Sequence, residues 1–160
     1  MDNQKIYHAA VVGGIVSAFT DAVPFLNFVN CLCCIGIAAG GAAALFYLKG
    51  FEPDKIFSMP ELVQIGLLTG LAGAFFSFGF HYIMFKMIGN WQIEWALNML
   101  DNMEEIPAMW DELYEQLQAP EMQGFVGISI FIRSLIIFPI FTFLGALFSN
   151  RLFLKQSRSK

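Results

Sequence analysis

Charge is scarce in this 160-residue chain: Asp, Glu, Lys and Arg make up 14% of it, where a soluble domain carries about 25%. With 57% of its residues hydrophobic, such a chain cannot coat itself with a hydrated surface. Basic residues are missing altogether between Lys86 and Arg133, a stretch that holds eight carboxylates (Glu94, Asp101, Glu104, Glu105, Asp111, Glu112, Glu115 and Glu121). That excludes the broad basic footprint of nucleic-acid binding. The only cysteines are Cys31, Cys33 and Cys34. An odd, clustered set excludes a disulfide framework, and with no second pair elsewhere it makes a poor tetrahedral metal site. The metalloprotease, P-loop, nucleophile-elbow and dinucleotide-binding motifs are absent too. The acidic clusters lack the Glu-x-x-His pairing of di-metal bundles and read as solvated helix faces. The expectation is a protein that is not an enzyme and requires no cofactor or metal.

What the sequence does have is apolar length. Hydrophobic residues gather into four runs, at about 6–23, 29–48, 61–88 and 124–149. Runs of about 17–25 apolar residues can cross the hydrocarbon core of a bilayer as helices. The expected fold is therefore all-α, a single-domain (1–160) integral membrane four-helix bundle. Pro24 and the residues after it form a tight connection between the first two spans. Gly50, Pro53 and Pro60 read as helix breakers before the third, and Pro139 as a kink in the fourth. The N-terminal run lacks a small-residue cleavage site and reads as a retained span. Placing both termini in the cytoplasm puts Lys5, Lys49, Lys55, Arg151, Lys155, Arg158 and Lys160 there, as the positive-inside rule prefers. The expected location is a bacterial inner membrane.

That topology puts the acidic segment after span three outside the cell. Its Trp91, Trp95, Met99, Met103, Ile106 and Trp110 recur at helical spacing, predicting amphipathic helices over about 90–118 that divide at Pro107. A stripe of Trp91, Trp95, Met99, Met103 and Trp110 suits docking on a partner.

Within the spans, Gly36 and Gly40 on the second and Gly66 and Gly70 on the third stand four residues apart. Small residues at that spacing let helix backbones approach closely in lipid. Asn30 directly precedes an apolar run and reads as a helix cap. The segment Asn30-Cys31-Leu32-Cys33-Cys34, with Gly40-Gly41 following in the second helix, resembles a loosely defined group of bacterial four-span membrane proteins. The resemblance covers mainly spans one to three and implies a fold type without an activity.

Ionisable residues inside spans mark functional sites by default. Asp21 and Arg133 are expected to form an intramembrane ion pair in the outer half. His81, among Phe75, Phe76, Phe78 and Phe80, is a candidate axial ligand for a haem or chlorophyll-type ring. Taken together, the sequence points to a non-catalytic accessory or scaffold subunit of a larger membrane complex, photosynthetic or respiratory. It would dock on other membrane subunits through its small-residue faces and its Trp/Met stripe, with lipid around it. A small homo-oligomeric transporter or channel, and a pigment- or cofactor-binding subunit built on His81, are the alternatives.

Overall fold

The computed structural model describes residues 3–23, 26, 30, 34–53, 55–88, 98 and 120–157. Among these the chain is all-helical: α1 (Asn3–Ala22), α2 (Ile35–Phe51), α3 (Met59–Ile88) and α4 (Pro120–Ser157). Helix α1 packs against α2 and α3, and α4 packs against the same two, so α1 and α4 lie across a diagonal of the bundle. Two stretches, Met59–Met84 and Gly127–Leu152, are 26 residues each and apolar enough to cross a membrane.

Helix ends follow local chemistry and differ from the approximate bounds of the apolar runs. Helix α2 starts at Ile35 rather than at 29, because Cys34 takes a left-handed conformation (φ 53°) that a continuing helix cannot contain. It also runs through Gly50 to Phe51. Helix α3 starts at Met59, and Pro60 sits in its first turn, where a missing N–H costs nothing. Ser58 and Glu61 make the return half of a capping box there: the Glu61 carboxylate accepts from the Ser58 N–H and hydroxyl, both at 2.9 Å. Helix α4 extends past the expected end at 149 to Ser157.

The seams between helices are lined by small residues. At the α1–α2 seam a methyl on Gly13 would strike the Gly40 carbonyl, and one on Gly40 would strike Ser17. At the α3–α4 seam Gly66 meets Phe143 and Gly70 meets the backbone of Pro139. At the α2–α4 seam Gly41 faces the Thr142 carbonyl and Gly145 the Ala38 carbonyl. The four glycines expected to mediate packing are therefore all engaged, but within this chain. Neighbouring backbones and, at Gly36, the Thr20 and Asn30 side chains fill these small-residue faces.

Polar and apolar surfaces are exchanged relative to a water-soluble bundle. Ser17, Asp21, Thr69, Ser77, Ser134 and Thr142 are buried. Along α4, Ile128, Ile132, Ile136, Ile140, Leu144, Phe148 and Leu152 recur every four residues on the outside, each 45–66% exposed. Val63, Leu67, Leu71 and Phe75 do the same on α3. Buried hydroxyls close inward bonds: Ser17 donates toward the Ile37 carbonyl of α2 (3.1 Å), and Thr142 toward the Gly66 carbonyl of α3 (2.7 Å).

The two ends of the bundle differ. At the lower end, Lys5 pairs with Glu52 (3.6 Å) and Lys55 with Glu61 (3.0 Å), while Lys49 donates to the Lys55 carbonyl (2.6 Å). The Glu61 carboxylate, hydrogen-bonded to the Lys55 ammonium, raises that group above its ordinary pKa. Just inside lies an apolar plug of Ile6, Ala9, Leu45, Leu48, Leu62 and Ile65. At the upper end α1 and α3 run side by side, with Asp21 beside Ser77. Beyond the last residue of α1, α3 continues for about ten residues, or about 15 Å. Among the described helices, the upper end is thus stepped, with α3 standing above the end of α1.

Candidate functional site

Four polar side chains meet at that step. Asp21 is the penultimate residue of α1 and is 2% exposed. Its Oδ2 accepts a 2.6 Å hydrogen bond from Ser77 Oγ on α3, a short bond of the charge-assisted kind. Its Oδ1 lies 4.0 Å from the Arg133 guanidinium on α4. The pair expected from sequence is thus brought together across the bundle diagonal, and it is lopsided: the Arg133 side chain is 57% exposed and that of Asp21 3%.

His81, one turn above Ser77, completes the group. Its Nδ1 lies 2.9 Å from the Ser77 carbonyl and 3.3 Å from Ser77 Oγ. A carbonyl can only accept, so this contact requires the proton on Nδ1. The donors then all run one way: His81 Nδ1–H toward Ser77, and Ser77 Oγ–H toward Asp21. Nε2 takes no part in these contacts, and an Nδ1–H bonded to a backbone carbonyl is the arrangement that ligating histidines adopt. Among the described residues no three His, Cys, Asp or Glu side chains converge on one point, so His81 would act as a single ligand. Ser77 is the residue that sequence reasoning overlooked. The signal for it was a hydroxyl one helical turn before a histidine in an otherwise apolar span.

Ser77→Ala is expected to cost about 1–3 kcal/mol of stability, because it strips a buried carboxylate oxygen of its hydrogen-bond donor. Unfolding in a detergent titration would measure it; a cost near zero would mean that Asp21 finds another donor. Ser77→Thr keeps the hydroxyl and should recover most of the loss.

A second polar device stands next to this group. Asn30 was expected to cap the second helix from the adjacent position, yet the cap position belongs to Cys34. Asn30 instead reaches back in from four residues further out. Its Oδ1 accepts from the Ile37 N–H (3.1 Å) and its Nδ2 donates to the Thr20 carbonyl (3.2 Å). One amide therefore satisfies an unpaired donor at the start of α2 and an acceptor near the end of α1. Gly36 makes room for it, since a methyl there would lie 2.5 Å from Oδ1.

The other sequence candidates divide simply. Gly36, Gly40, Gly66 and Gly70 are buried in seams. Cys34 is partly buried, and Cys31 and Cys33 lie outside the described residues. So do Trp91, Trp95, Met99, Met103 and Trp110, together with nearly all of the segment assigned to outer amphipathic helices.

No known relative emerges. Comparison with family models, curated proteins and solved structures finds no match to this chain. The functional reading therefore rests on the geometry above.

Proposed function

We propose that this chain is an integral membrane protein crossing the bilayer four times, and that it serves as a non-catalytic scaffold or accessory subunit of a larger membrane assembly. The observation that carries the membrane reading is the exchanged surface: long aliphatic stripes outside, buried hydroxyls and a carboxylate inside. In water those stripes would expose far more contiguous apolar area than a soluble monomer tolerates. Helix α2, at 17 residues, sits at the lower limit for crossing, and α1 has 20. Lys5, Lys49 and Lys55 gather at the lower end, which the positive-inside rule puts in the cytoplasm.

The scaffold reading is supported by what the interior holds. The polar residues at the step lead downward to an apolar plug, and the seams bring backbones into contact, which favours a structural bundle over a conduit. With the small-residue faces occupied, the Trp/Met stripe between α3 and α4 is the remaining candidate for partner docking. The test is to wash membranes with alkaline carbonate, extract the chain in mild detergent, crosslink, and identify attached polypeptides by mass spectrometry. The chain should resist the wash and carry defined partners in fixed ratio, which Trp91→Ala with Trp95→Ala should release. Release by the wash would sink the membrane reading, and a clean monomer the subunit reading.

A further inference from the structure

We infer that Arg133 binds the phosphate group of a phospholipid in the outer leaflet, seated against the step above the end of α1. This rests on the membrane reading proposed above. Arg133 stands on the outside of α4 between Ile132 and Ile136, which are 54% and 60% exposed, so a cation interrupts a lipid-facing aliphatic surface. Its partner Asp21 satisfies it poorly. At 4.0 Å the contact exceeds the 2.7–3.2 Å of an N–H···O hydrogen bond, and the other Asp21 oxygen is committed to Ser77. Among the described residues, no acceptor is hydrogen-bonded to the guanidinium. A group with five N–H donors in a fixed fork, facing hydrocarbon, calls for an acceptor from its surroundings.

Depth selects that acceptor. Arg133 lies nine residues inside the apolar run that begins at about 124, about 14 Å along the helix. Side chains slant toward the N-terminus of their helix, and for α4 that is the upper end, so the long side chain rises toward the headgroups. Ser129, exposed one turn above on the same face, adds a hydroxyl beside the path. Phosphate diesters are the abundant anions at that level, and a guanidinium binds phosphate through two parallel hydrogen bonds. Asp21 stands near one terminal nitrogen of the guanidinium without a hydrogen bond to it, so the lipid can take the paired donors.

The experiment compares three additives with the detergent-purified full chain: phosphatidylglycerol, diacylglycerol with the same acyl chains but no phosphate, and inorganic phosphate. Phosphatidylglycerol is expected to raise the melting temperature by several degrees and to appear as a one-to-one adduct in native mass spectrometry; the other two should do neither. Arg133→Leu should weaken that binding at least tenfold, and Arg133→Lys should fall between. An equal effect of diacylglycerol would assign the binding to acyl chains alone, and an equal effect of inorganic phosphate to a free anion; either overturns the proposal. Unchanged lipid affinity in Arg133→Leu does so as well. Should that variant not fold, Asp21→Asn removes the competing carboxylate and should tighten phosphatidylglycerol binding; unchanged or weaker binding refutes the assignment. A chain that stays monodisperse without detergent fails the membrane reading before any lipid is added, so the two failures are distinguishable.

Discussion

Gly41→Ala is expected to destabilise the bundle by about 2–3 kcal/mol, whereas Gly79→Ala on α3 should stabilise it by up to about 1 kcal/mol. The same methyl is added to a helix in both cases, and only the neighbours differ. At position 41 it would run into the carbonyl, carbonyl carbon and Cα of Thr142, none of which can rotate away as a side-chain tip could. Relief requires α2 and α4 to separate, and that would strain the Gly145 contact with the Ala38 carbonyl in the same seam. At position 79 nothing lies within 4 Å, so the gain is the ordinary helix preference of alanine over glycine. Reversible unfolding in mixed micelles would give both values. Equal effects of the two substitutions would mean that the α2–α4 backbones do not touch.

Asn30→Ala should cost about 2–4 kcal/mol, since it leaves the buried Ile37 N–H without a partner, at about 1–3 kcal/mol, and the part-buried Thr20 carbonyl, at about 1 kcal/mol. Asn30→Asp keeps the acceptor and loses the donor, and so should lie between. The loss has a local signature. Amide exchange at Ile37 should accelerate in Asn30→Ala more than at Leu45, which lies deeper in the same helix. Uniform acceleration along α2 would mean that the side chain stabilises the bundle in general and does not cap this end.

Much of the architecture can be read from residue order. The four apolar runs give four helices, and the four-residue spacing of Gly36/Gly40 and Gly66/Gly70 marks faces packed against neighbours: other backbones at Gly40, Gly66 and Gly70, the Asn30 and Thr20 side chains at Gly36. Which backbones they meet was not readable, because spacing specifies a contact face and leaves the partner open. Gly66 and Gly70 turned out to meet Phe143 and Pro139 of the same chain. The start of α2 at Ile35 is hidden for a related reason. Apolar residues run from Cys31 through Ile35, whereas the left-handed backbone of Cys34 carries no compositional mark. The Ser58-x-x-Glu61 start of α3 was written in the sequence, but Pro60 between them reads first as a breaker. At the step, Asp21, His81 and Arg133 stand out as ionisable groups in apolar runs. Ser77 does not, since a serine in a membrane span is ordinary and only its bond to Asp21 gives it weight.

Helices that touch through their main chains have axes drawn unusually near one another, and this governs where the molecule can hold anything. Along the seams at Gly40, Gly41, Gly70 and Gly145, even a methyl group finds no room between the helices. Selection on such a protein would then act on two separate surfaces: an inner one that tolerates almost no added bulk, and an outer one free to drift among greasy residues except where Arg133 interrupts it.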